Sequence, residues 1–113
     1  MHEMSIAQGI LDIVLKTAAE HSAVKVTCIK LLIGKMTQVE PESLNFGFEV
    51  LSAGTVAEGA NVEITIVPLV GECNSCGQRF TVENYSFFCP FCNSASVLVI
   101  SGRELAVDYV EVE

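Results

Sequence analysis

Two C-x2-C pairs, CNSCG at Cys73 to Gly77 and CPFCN at Cys89 to Asn93, stand twelve residues apart in a chain of 113 residues. Each pair can turn a knuckle that aims both sulfurs at one ion, and backbone amides after the first thiolate can hydrogen-bond to its sulfur. Gly77 and Asn93 follow the second cysteine of each pair. Those two residue types most readily take the left-handed backbone that such a knuckle requires. Four thiolates in a tetrahedron, with no position left open, describe a structural zinc site held by Cys73, Cys76, Cys89 and Cys92.

Other uses of the four cysteines fit less well. Two disulfides would need an oxidising compartment. A thioredoxin-like motif accounts for one C-x-x-C but not for two. Iron in place of zinc stays open, because CNSCG with CPFC also resembles a rubredoxin centre, and that alternative makes the chain an electron carrier. The fifth cysteine, Cys28, lies in the apolar run VKVTCIKLLIG and reads as a buried core residue.

Six basic against fourteen acidic residues give a net charge of −8. Duplex nucleic acid and anionic membrane both ask for a basic face, so neither is expected as a partner. Phe80, Tyr85, Phe87, Phe88 and Phe91 crowd the cysteine region. Stacking on single-stranded bases would need a cationic groove beside them, and that region carries few charges. The aromatics are expected to form the small core of the module, with one or two exposed for a protein partner. No apolar run is long enough to span a bilayer, and His2 and Glu3 replace the basic start of a secretory signal. The expected location is the cytoplasm.

Along the chain, SIAQ predicts a capping box, with Ser5 as N-cap and Gln8 three residues later, ahead of Ile6, Ile10, Ile13 and Val14. That helix should fade near His21 and Ser22, leaving His21 as a solvated helix-end residue. Val24 to Ile33 reads as a strand ending at Gly34. Pro41 and Glu42 open a second helix with Leu44, Phe48 and Leu51 on one stripe, stopped at Gly54. NVEITIVP alternates, with Val62, Ile64 and Ile66 on one face. ELAVDYVEVE is a third strand whose alternation breaks near Tyr109 and Val110, the mark of a bulge. The order predicts an α+β fold: a small three-stranded sheet with two helices, plus an inserted zinc-ribbon-like module of two C-x2-C knuckles. The first unit is expected over residues 1–69, completed by a C-terminal strand at 103–113, with the module at 70–102.

The chain opens MHEMS. The α-amine of Met1, the His2 amide nitrogen and the His2 imidazole can close adjacent chelate rings on one metal, and the Glu3 amide can complete a plane. Such a nitrogen field suits nickel(II) or copper(II), and Glu3 adds a carboxylate. Spacing alone does not require a metal there. The sequence holds no Ser-His-Asp or His-Cys constellation and no phosphate loop, so catalysis is not expected.

MHEMS, the four-cysteine module and the intervening VEPESLNFGF and VAEGA stretches occur in that order along the whole chain, which resembles the HypA/HybF family of hydrogenase nickel-incorporation accessory proteins. The resemblance implies a nickel metallochaperone rather than an enzyme. It places Ni(II) at the N-terminal segment, with His2 as the essential ligand and Met1 and Glu3 in support. It places structural Zn(II) on Cys73, Cys76, Cys89 and Cys92, and brings Glu40 near the nickel. Glu40 reads equally well as a helix-start carboxylate facing the dipole. The implied partners are a HypB-type nickel GTPase and the large subunit of a nickel-iron hydrogenase, with the chain a monomer or weak homodimer. A zinc-ribbon adaptor that only binds protein, with an inert terminus, is the other alternative.

Overall fold

The computed structural model describes residues 3–113. Its elements run α1 (Glu3–Glu20), β1 (Val26–Gly34), α2 (Pro41–Ser52), β2 (Asn61–Val67), β3 (Val70–Cys73), β4 (Arg79–Thr81), β5 (Val97–Ser101) and β6 (Leu105–Val112). The fold is α+β, with two separate three-stranded sheets.

Apolar residues at three- and four-residue spacing give α1 its buried stripe of Ala7, Ile10, Leu11, Val14 and Ala18. Two expectations for this helix need correction. It begins at Glu3, two residues before Ser5, so Ser5 is an exposed helical residue and not the N-cap. Gln8 does not reach back to close a box, since its Nε2 donates to Asp12 Oδ1 at 2.8 Å. The first turn is held by packing instead: α2 presents Gly47 to Met4, and a Cβ at Gly47 would fall 2.7 Å from Met4 Sδ. Ile13, expected on the stripe, is 53% exposed. It lies roughly a third of a turn from the centre of the buried face, and Leu11 takes that place. At the far end the helix stops as expected. Ser22 takes a positive φ of 52°, and exposed His21 donates from Nδ1 to the Thr17 carbonyl at 2.9 Å.

Pro41 at the first helical position and the carboxylate of Glu40, accepting from the Glu42 N–H at 3.3 Å, start α2. Leu44 and Phe48 are buried, and Gly54 ends the segment with a φ of 80°. The first sheet has the order β2-β1-β6, with β1 in the centre. The β1–α2–β2 crossover makes β1 and β2 parallel, Ile29 opposite Val62 and Leu31 opposite Ile64. β6 returns antiparallel on the other side of β1.

Register shifts in this last pair lie at Thr27 on β1 and at Asp108 on β6, the latter one residue before the expected break. The bulge at Thr27 resets the two-residue alternation. Val26 and Ile29 then both face the helices, with Leu31 and Ile33, and join the α1 and α2 stripes in one core. Cys28 is buried but lies outside that core, on the opposite sheet face, with its Sγ 3.8 Å from Glu63 Oε2. Burial and the Glu63 and Glu111 carboxylates raise its thiol above the ordinary cysteine value.

The second sheet, order β4-β3-β5, is entirely antiparallel. Two chain crossings, at Leu69 and at Gly102, connect it to the first sheet, and they lock one another. Leu69 is buried, and its carbonyl accepts from the Val82 N–H at 2.8 Å. Ser101 Oγ donates to the Pro68 carbonyl at 2.8 Å, and the Met36 N–H to the Gly102 carbonyl at 2.8 Å. Gly102 has a φ of 112°, and a Cβ there would sit 2.7 Å from Leu69 Cα. Gln38 Nε2, donating to Tyr85 Oη at 3.1 Å, adds a contact from the loop between the knuckles. The molecule is elongated, 54 × 25 × 17 Å. Gly102→Val combines a disallowed φ with a backbone collision, so thermal or urea unfolding should show a loss of at least about 2 kcal/mol. An unchanged midpoint would mean that the crossing is not closely packed.

Candidate metal centre

The four sulfurs of Cys73, Cys76, Cys89 and Cys92 lie within 4.8 Å of one another. Cys73 Sγ is 3.5 Å from Cys92 Sγ, and Cys76 Sγ is 3.6 Å from Cys89 Sγ. A tetrahedral ion with sulfur bonds of about 2.3 Å sets an edge of about 3.8 Å between sulfurs. The residues therefore fit a closed four-thiolate site, and the module is zinc-ribbon-like.

Local backbone chemistry builds each knuckle in the same way. The Gly77 N–H donates to the Cys73 carbonyl at 2.9 Å, and the Asn93 N–H to the Cys89 carbonyl at 2.8 Å. Positive φ values of 78° at Gly77 and 62° at Asn93 allow those closures. The Cys73 N–H donates to the Gln78 carbonyl and the Cys89 N–H to the Ser94 carbonyl, each at 2.9 Å. Amides then point at the first sulfur of each pair. Ser75 and Cys76 N–H donate to Cys73 Sγ at 3.3 and 3.4 Å, and the Phe91 N–H to Cys89 Sγ at 3.4 Å.

Amide donors lower all four thiols, and burial and the neighbouring sulfurs divide them into two kinds. The Cys76 N–H leads in drawing the Cys73 thiol down to about 6, against its burial. Burial pushes the Cys89 thiol up, but the Cys92 and Phe91 N–H groups and neighbouring thiols outweigh it, so that one is also lowered. Cys92 is pushed up to about 12: the Ser94 N–H favours its thiolate, while Cys73, burial and the other two sulfurs oppose it more strongly. Cys76 is raised as well; the Gln78 N–H favours the thiolate, and burial with the Cys89 and Cys73 sulfurs prevails. Cys73 and Cys89 are buried, whereas Cys76 and Cys92 are exposed. Each knuckle thus contributes one inner thiol held below the ordinary cysteine value and one outer thiol held above it.

Three of the five aromatics near the cysteines are exposed, Tyr85, Phe88 and Phe91, with Phe91 at 65%. Expected as the core of the module, they are instead largely on its surface. The buried side chains there are those of Leu69, Val82, Cys73 and Cys89. So short a segment has no second apolar layer to cover its rings. Polar contacts not anticipated from the sequence join the knuckles: Ser75 Oγ to Ser94 Oγ at 3.0 Å and Asn74 Nδ2 to Ser96 Oγ at 3.1 Å. The signal for them was the Asn-Ser pair that follows both Cys73 and Cys92.

Of the candidate nickel ligands, Met1 and His2 lie outside the described residues. Glu3 is in the first turn of α1, and its Oε2 accepts the Glu40 N–H at 3.2 Å. The N-terminal ends of α1 and α2 therefore meet, and Glu3 and Glu40 lie side by side. The Glu40 carboxylate caps its own helix.

A family model described as "Hydrogenase/urease nickel incorporation, metallochaperone, hypA" matches residues 1–112. Among curated relatives, the hydrogenase maturation factor HypA of Chlorobium phaeobacteroides is 44% identical over 113 residues, covering 100% of both chains. That of Desulfitobacterium hafniense is 39% identical over 113 residues, covering 100% of this chain and 99% of its own. In fold, the chain is similar to the solution structure of the Ni metallochaperone HypA from Helicobacter pylori, with a TM-score of 0.70 and 22% identity over 99% of this chain and 97% of that one. A second solution structure of a HypA protein gives a TM-score of 0.74 at 22% identity, over 100% and 97%.

The unequal thiols predict the proton count of metal uptake. At pH 7.5 the Cys73 thiol, drawn down to about 6, is already ionised, so the ion displaces fewer than four protons, Cys76 and Cys92 supplying theirs. Affinity falls as pH falls, and more steeply below about 6, where the Cys73 thiol protonates as well. Indicator-dye proton release on adding Zn(II) to metal-free protein checks this, and release of four protons at pH 7.5 would contradict the inequality.

Proposed function

Because the chain belongs to the HypA family of nickel-incorporation metallochaperones, we propose that it carries Ni(II) on its N-terminal segment and delivers it to the large subunit of a nickel-iron hydrogenase. His2 is the essential ligand, through its imidazole and amide nitrogens. The Met1 amine and Glu3 complete the site, and Glu40 lies close to it. Zn(II) sits on Cys73, Cys76, Cys89 and Cys92 and is structural. Loading involves a HypB-type nickel GTPase.

The observation that carries this reading is the meeting of the two helix ends. Glu3, the residue directly after His2, is fixed by its 3.2 Å contact to the Glu40 amide at the start of α2. The residue next to the proposed essential ligand is thereby attached to the packed part of the fold. Nitrogen ligands supplied by the first two residues of the chain suit an ion that must be surrendered, as four enclosing thiolates do not. An affinity of about 1 μM, roughly −8 kcal/mol, would let a carrier both load and unload. Transfer is ligand exchange: groups of the receiving pocket replace the imidazole and amine one at a time.

Two measurements test the proposal. His2→Ala, and separately any extension ahead of Met1, should abolish Ni(II) binding in equilibrium dialysis while leaving zinc content and circular dichroism unchanged. Full nickel binding by the extended protein would remove the amine from the ligand set. Nickel affinity should also weaken as pH falls below about 6.5, where an ordinary imidazole protonates and competes with the metal. A constant affinity between pH 5 and 8 would exclude an imidazole ligand. Metal analysis of untagged protein separates the electron-carrier alternative, since a red, reducible preparation would mark an iron centre.

A further inference from the structure

Each knuckle is closed on itself by backbone bonds, so those bonds do not fix the distance from one knuckle to the other. Polar contacts on one side of the cluster do. β3 and β5 pair as far as Cys73 and Val97, and the Asn74 N–H extends that ladder to the Ser96 carbonyl at 2.9 Å. Asn74 Nδ2 donates to Ser96 Oγ at 3.1 Å, and the Ser75 and Ser94 hydroxyls lie 3.0 Å apart. Ser94 Oγ also accepts the Ser96 N–H at 3.1 Å, which leaves its hydroxyl proton and one lone pair to face Ser75. Asn74 and Ser75 are the two residues inside the first C-x2-C, and Ser94 and Ser96 follow the second. Both side-chain contacts therefore bridge the knuckles.

The outer sulfurs of Cys76 and Cys92, one from each knuckle, are the ones that an incoming ligand meets first. An ion leaves only after an outer sulfur lets go and the knuckles begin to part, and contacts that bridge them oppose that step. We propose that Asn74, Ser75, Ser94 and Ser96 form a positioning clasp that sets how fast the four-cysteine site exchanges its ion, without touching the ion. The inference rests on the reading that these cysteines hold zinc. An exposed hydrogen bond is modest in water, so losing one contact should speed release about 3- to 10-fold.

The test uses the full chain loaded with Zn(II) and an excess of a chromogenic chelator, with the release rate as readout. Ser94→Ala should release zinc about 3- to 10-fold faster than wild type. Ser75→Ala with Ser94→Ala should be no faster than the quicker single variant, because both remove one shared contact. Ser94→Thr, which keeps the hydroxyl, should return the rate towards wild type. Asn74→Ala probes the second contact independently and serves if Ser94→Ala folds poorly. Co(II)-loaded variants should keep the thiolate charge-transfer bands of wild type, showing that the ligands are unchanged. Wild-type rates in Ser94→Ala and Asn74→Ala, or equal acceleration in Ser94→Thr and Ser94→Ala, would overturn the clasp. Wild-type protein that takes up neither Zn(II) nor Co(II) would overturn the metal reading, and the clasp with it, a result distinct from metal binding with unaltered release.

Discussion

The lower half of the molecule depends on four sulfur atoms being held within one ion's reach. Three short strands and a twelve-residue loop carrying exposed rings bury too little apolar surface to order themselves by the hydrophobic effect. Coordination of an ion would supply the missing free energy, and the backbone prepares for it. Two left-handed residues close the knuckles, and amide donors stabilise the inner thiolates before any ion arrives. The rest of this half is an extension of those two turns.

The upper half is stabilised differently, and the contrast bears on function. Its core is a continuous apolar layer of α1, α2 and β1. At one edge the two helix starts meet through Glu3 and the Glu40 amide. The proposal gives one chain a four-thiolate site suited to retention and a terminal nitrogen-ligand segment suited to transfer. The crossings at Leu69 and Gly102 fix the two halves through backbone contacts too close for a side chain at Gly102. The bond from Gln38 to Tyr85 joins the loop between the knuckles to the segment leading into α2.

Much of this was legible in the sequence because it is written in local rules. Cysteine spacing with Gly77 and Asn93 encodes the knuckles, and Pro41 and Gly54 bracket α2 through their backbone preferences alone. The break in alternation along ELAVDYVEVE marked the bulge to within about one residue. The structure departs from local rules where distant partners decide. Ser5 has the chemistry of a cap, yet the packing of Met4 on Gly47 lets the helix start earlier. Ile13 has the hydrophobicity of a core residue, but Leu11 lies nearer the centre of the buried face. The aromatics of the module pointed to a core that so few residues cannot enclose. The parallel pairing of β1 with β2 and the serine contacts across the metal cluster join segments far apart in the chain, which no local pattern reports.

X-ray absorption of native-ended protein loaded with both ions, read at the nickel and zinc edges, tests the division of labour most directly. Nickel surrounded by nitrogen and oxygen only, with zinc surrounded by four sulfurs at about 2.3 Å, is the result that two separate sites require. Sulfur in the nickel shell, or nitrogen and oxygen replacing sulfur around zinc, would contradict it.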